Sequence, residues 1–119
     1  MAHTYPTAGG FQSANGYAFG LTADTGSAQD ATSTLKVSLA VFDTVGSAGD
    51  SATLPDVEIG TVVTVKNNAA TNSMDLFPFT GETINGGSAN AAKAIAAGTT
   101  LGFVKATATN WEQISESTD

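Results

Sequence analysis

Short alternating apolar runs, cut roughly every 8 to 12 residues by turn-forming residues, restrict this chain more than any other feature. In "TLKVSLAVF" (34–42), Leu35, Val37, Leu39 and Val41 fall on one side and Lys36, Ser38 and Ala40 on the other. Period two over that length is the pattern of a half-buried strand. "TVVTVKN" (61–67) is β-branched almost throughout and is the strongest strand of the chain. Shorter strands are expected at "ATLP", "MDLFPF", "TING", "TTLGFVKAT" and "NWEQI", with "SESTD" as an acidic tail. "SANAAKAIAAG" (88–98) has helix propensity, but Gly98-Thr99-Thr100 closes it and a strand follows, so a loop with a short strand is expected. No 20–50-residue repeat is visible in the sequence. The pattern predicts an all-β fold, a small antiparallel β-sandwich or jelly-roll-like barrel.

At 119 residues the chain is long enough for one domain with a real core. Residues 1–20 read differently from the rest: Gly, Ala and Ser alternate with isolated aromatics, Tyr5, Phe11, Tyr17 and Phe19. They predict an extended N-terminal arm, with the β-domain occupying 21–119. The aromatics either cover the domain's own edge or dock on a partner.

Charge excludes several functions. Eleven acids stand against four lysines, and there is no arginine. Nucleic-acid backbones and anionic membranes are read by Lys and Arg, so neither is an expected partner. No cysteine is present, which removes disulfides and thiolate metal sites. The N-terminus lacks the basic and apolar regions of a signal peptide, and no run of about 18 apolar residues marks a membrane span.

The chemistry-bearing residues form no convincing constellation. His3 is the only histidine and lies in the expected arm. "GDS" (49–51) resembles a nucleophile loop, but without a credible base Ser51 reads as a plain loop serine. Asp24, Asp30, Asp43, Asp50, Asp56 and Glu58 lie in loops where oxygen ligands suit Ca²⁺, yet no run follows the spacing of a calcium loop. No catalytic residue, metal site or cofactor is therefore expected. In "LFPFTGETING" (76–86), Met74, Leu76 and Pro78 share one strand face, while Asp75, Phe77 and Phe79 share the other. That aromatic stripe suits a core or a subunit contact. Trp111 and Ile114 fall on opposite faces of one strand, as do Val62 and Val63: either one face packs in the domain and the other between subunits, or these are bulges or two-sided core strands. The oligomer-contact candidates are Phe77, Phe79, Trp111 and Ile114.

Four stretches, in order, resemble a recurrent module of bacteriophage virion proteins: "FDTVGSAGDSATLP", "GTVVTVKNNA", "LFPFTGETINGG" and "AKAIAAGTTLGFVKATATNWEQI". The resemblance spans roughly residues 35–114 and rests on order and spacing. It implies a small β-barrel or jelly-roll unit of the kind found in capsid decoration (cement) proteins and in pieces of tail fibres and spikes, commonly trimeric. It further implies a homotrimer on the outer capsid surface of a virion, made in the host bacterial cytoplasm. The major capsid protein would be its partner, with Tyr5, Phe11, Tyr17 and Phe19 as capsid-binding candidates. The alternative is a fibre or spike tip that binds a host surface glycan through loops 43–51 or 85–90.

Overall fold

The β-branched run of 61–67 forms the central strand of the larger of two sheets. The computed structural model describes residues 16–119. Nine strands follow in order: β1 (Tyr17–Thr22), β2 (Leu39–Thr44), β3 (Ser51–Thr53), β4 (Val62–Asn67), β5 (Met74–Phe77), β6 (Thr83–Ile84), β7 (Lys93–Ile95), β8 (Thr99–Lys105) and β9 (Asn110–Thr118). The larger sheet has the order β1-β2-β4-β8-β9-β6, and the smaller the order β3-β5-β7. There is no helix among the described residues, so the all-β expectation holds, including the loop and short strand over 88–98.

The expectation of an antiparallel arrangement does not hold. β1–β2, β2–β4, β3–β5 and β6–β9 are parallel, while β4–β8, β5–β7 and β8–β9 are antiparallel. Parallel neighbours cannot be joined by a tight turn and need a crossover. Here the crossover is a visit to the other sheet: β3 lies between β2 and β4 in sequence, and β4 lies between β3 and β5. The chain thus winds as a flattened coil. Tyr17 lies beside Leu39, and Leu39 beside Thr64, so the chain returns alongside itself about every two dozen residues, a coil period without sequence repetition.

The alternation read in 34–42 is real, but its phase changes. Leu35 is buried beside the small sheet, where its amide donates to the Thr53 carbonyl at 2.8 Å. The chain then bends over 37–38 and crosses to the large sheet. On β2 the inward residues are Ala40 and Phe42, and Leu39 and Val41 face outward, half-buried. A further correction concerns the C-terminal "SESTD", which is not a loose tail: Ser115–Thr118 continue β9 against Thr99–Gly102, and Lys66 Nζ meets Asp119 Oδ2 at 2.9 Å. Backbone pairing holds this stretch without burying its side chains.

One core lies under both sheets. Val63, Val65, Leu101, Phe103 and Trp111 come from the large sheet, and Ala52, Met74, Leu76 and Ile95 from the small one. Asn67 is fully buried among them: its amide nitrogen donates to the carbonyls of Asn72 and Ile95, both at 2.9 Å. Asn85 (φ 55°) and Gly86 (φ 69°) form the turn read in "TING", closed by the Gly87 amide on the Ile84 carbonyl. That turn sends the chain to β7 in the small sheet instead of back along β6.

Lys105 follows Leu101 and Phe103 in the inward phase of β8, and it too is buried. Its ammonium donates to Glu82 Oε2 at 2.8 Å and to the Val57 carbonyl at 3.3 Å. The other Glu82 oxygen accepts the Trp111 indole N–H at 2.9 Å, and Lys105 Nζ stands 5.7 Å from the Trp111 ring centre, within cation–π range. Removing one partner of a buried ion pair leaves the other charge unmatched, at about 3–5 kcal/mol. Lys105→Met is therefore expected to cost about that much in urea unfolding followed by Trp111 fluorescence. Adding Glu82→Gln, which still accepts from the indole and carries no charge, is expected to restore most of the loss. A single variant within about 1 kcal/mol of wild type would refute this account.

Candidate interaction surface

Each sheet has an outer face, and the two are finished differently. Residues 24–35 form a strap over the outer side of the small sheet. Its ends pair with β3: Asp24 and Ser51 exchange backbone hydrogen bonds of 2.8 and 2.9 Å, and the Thr53 amide donates to Ser33 O at 2.8 Å. Between the ends, side chains of "GDS" hold the strap down. Ser51 Oγ accepts from the Ala28 amide at 3.1 Å and donates to the Gly26 carbonyl at 2.8 Å. Asp50 Oδ1 accepts from the Gly26 amide at 2.9 Å and its Oδ2 from the Ser47 amide at 3.0 Å. Ser51 is buried and its hydroxyl is fully engaged, so its role is that of a clamp. Buried Ser33 and Thr53 hydroxyls meet at 2.6 Å, and Gln29 Nε2 donates to the Pro78 carbonyl at 2.7 Å.

The loop acids are also structural. Thr32 Oγ1 donates to Asp24 Oδ2 and to Asp30 Oδ1, each at 2.8 Å, and the Ser33 amide reaches Asp30 Oδ1 at 3.0 Å. The Thr32 hydroxyl first, and then the Ser33 amide, hold the Asp30 carboxyl below the usual aspartate range. Among the described residues no three His, Asp or Glu side chains gather as a metal site. Asp43 accepts from Asn68 Nδ2 at 3.0 Å, and Asn90 Oδ1 accepts from the Gly81 amide at 2.6 Å. Asp43, Asn85 and Asn90 thus each make a hydrogen bond within the domain from exposed loop positions. A groove of about 510 Å³ remains beside the strap, where Asp30, Lys36 and Asp56 meet Phe79.

Among the described residues, the outer face of the large sheet has no such cover. Registers place Tyr17 beside Leu39, Leu39 beside Thr64, Thr64 beside Gly102 and Gly102 beside Ser115. One step along the strands, Val62 pairs with Val104 and Val104 with Glu112. Alternation from Glu112 puts Ile114 on the same face, and an irregularity at Gly102–Phe103 brings Ser115 there beside it, so that Ser115 Oγ and Ile114 Cγ1 fill the space above Gly102. Ile114 is 56% exposed and Val62 43%, high values for such side chains. At the sheet edge, Tyr17 (69% exposed) and Phe19 (61%) stack with ring centres 4.9 Å apart. The charged strand residues here are Asp43, Lys66, which is paired with Asp119, and Glu112.

The candidate residues therefore separate. Tyr5 and Phe11 lie outside the described residues. Tyr17 and Phe19 belong to β1, so the boundary at residue 20 cuts a strand, and the β-domain already includes Tyr17. Phe77 and Phe79 are half-buried on the outer side of the small sheet, opposite Met74 and Leu76, as the alternation indicated. Trp111 is wholly buried in its own domain and has no exposed ring to offer a neighbour; Glu82 and Lys105 claim it instead. Ile114 is on the open face. Sequence reading passed over Glu82 and Lys105. The available signal was a lysine in phase with Leu101 and Phe103, because a charge at an inward position requires a partner.

Comparison with protein-family models, curated proteins and solved structures finds no match to this chain.

Two outcomes follow from the strap. Ser51→Ala leaves the Ala28 amide without its acceptor and is expected to cost about 1–3 kcal/mol. It should also speed proteinase K cleavage within 25–31 several-fold, while a strap that digests at the wild-type rate would remove the clamp. Asp30 has a lowered folded-state pKa, so its contribution is present above the ordinary aspartate pKa and fades as pH falls through the folded value. Thermal unfolding of Asp30→Asn and wild type should accordingly differ at neutral pH and converge in strong acid.

Proposed function

We propose that this chain is a structural component of a virion, a capsid decoration protein that binds the outside of a phage head as a homotrimer and stabilises the shell. The observation that carries this reading is the pairing of two features. Many polar side chains of the described loops are bonded within the fold, and the outer face of the large sheet, uncovered by the described residues, exposes Val62 and Ile114 among small polar residues and few charges. A catalytic or metal-dependent protein needs convergent titratable groups; a building block needs surface. The sequence resemblance supplies the phage-head setting and the major capsid protein as partner. The N-terminal residues, with the aromatic pair on β1, are the proposed anchor on the shell. Many modest contacts per trimer then add through effective concentration. The net charge of −7, with few cations, suits a part outside the shell, away from packaged DNA.

The tip-domain reading, with a host glycan as ligand, draws support from the groove at Phe79. An aromatic ring beside Asp30, Asp56 and Lys36 suits a sugar's apolar face and hydroxyls. We rank it second because Asp43, Asn85 and Asn90 in loops 43–51 and 85–90 are hydrogen-bonded within the domain and neither loop carries an aromatic residue.

Purified protein added to undecorated heads is expected to saturate at a fixed ratio to capsid subunits and to raise the temperature at which heads release DNA. A chain lacking residues 1–15, which keeps β1 intact, should remain folded and lose most of its head binding. Binding to host cells or glycans with no binding to heads would replace this reading with the tip-domain one.

A further inference from the structure

We infer that Asn85–Gly86 is a latent modification site, where side chain and backbone can condense to a succinimide, and that Asn110 holds it shut. The chemistry needs only water. The Gly86 amide gives up its proton to hydroxide and its nitrogen attacks Asn85 Cγ. A new N–C bond closes a ring, and the side-chain nitrogen leaves as ammonia. Water then opens the ring to aspartate or isoaspartate. Glycine in the second place favours the attack, because no Cβ hinders the approach. Among the described residues Asn85 is the only asparagine followed by glycine, and it is exposed to solvent. Sequence and access both therefore favour the reaction.

The fold opposes it by engaging both reacting groups. Asn85 lies along β9: its own amide donates to the Trp111 carbonyl at 2.7 Å, and its Oδ1 accepts from the Gln113 amide at 2.8 Å. The Gly86 amide donates to Asn110 Oδ1 at 2.9 Å, and that hydrogen is the one the attack must remove. Ring closure thus requires Gly86 to leave Asn110 and the turn to rotate. Asn110 is itself fixed on two sides. Its Oδ1 also accepts from Thr83 Oγ1, and its Nδ2 donates to Glu112 Oε2, both at 2.6 Å. Failure here would spread. Isoaspartate lengthens the main chain by one methylene beside the Ile84–Trp111 pair, in the segment that brings Glu82 to buried Lys105.

Mass spectrometry of the peptide holding Asn85, followed over time in warm, mildly alkaline buffer, tests this. Folded wild type is expected to convert at least tenfold more slowly than the same protein in urea. Asn110→Ala is expected to convert several-fold faster than folded wild type, with far-UV circular dichroism reporting whether the fold is intact. Asn110→Asp keeps the acceptor and should stay near the wild-type rate. Should Asn110→Ala not fold, Thr83→Val removes one support of Asn110 and is expected to speed conversion a few-fold. Equal rates for folded and unfolded wild type overturn the protection. A folded Asn110→Ala or Thr83→Val that converts at the wild-type rate, or an Asn110→Asp as fast as the alanine variant, overturns the role of Asn110.

Discussion

A parallel pair of strands cannot be closed by a tight turn, and that restriction organises this molecule. Because β1, β2 and β4 run parallel, each return must leave the large sheet and come back, and the small sheet is what the returns build. β3 is the return between β2 and β4, residues 24–35 between β1 and β2 bridge to it, and β5, which follows β4, pairs with β3 in parallel. Neither sheet exists without the other, and their common core is the consequence. The antiparallel strands β8 and β9 then close the large sheet with local pairing.

A coil of short strands has many chain crossings and few long apolar segments, so polar groups are trapped where segments meet. The fold answers with complete local pairing. Among the described residues no buried side-chain nitrogen or oxygen lacks a partner. Asn67 joins the end of β4 to the turn after it and to β7, and the Glu82–Lys105–Trp111 cluster joins the β8–β9 pair to the segment before β6 and to Val57. Such networks are worth most when complete, because a single missing partner exposes the desolvation cost of the rest.

Much of the fold was legible in the sequence. Strong β-propensity and strict alternation located β4, β5 and β8 and grouped the residues of each face, Met74 with Leu76 and Leu101 with Phe103, while packing decided which face turned inward. The phase of β2 was not legible, because a two-residue bend after Val37 resets the parity and alternation alone does not reveal it. Strand partners were hidden too, since parallel pairing joins residues far apart in sequence, with no turn between them to mark it. For the surface, the opposite faces of Val62–Val63 and Trp111–Ile114 were readable from period two. Which member of each pair stays outside was decided by tertiary packing. The clamp role of "GDS" was hidden for a related reason: its Asp and Ser are bonded to a strap some two dozen residues earlier, a contact invisible to local reading.

The strap has one more consequence, for the edge of the small sheet. A bare edge strand offers a row of unpaired amides and carbonyls to any passing strand. β3 is such an edge, and the backbone bonds of Asp24 with Ser51 and of Ser33 with Thr53 occupy its free side. Residues 24–35 thus close that edge with the chain's own backbone.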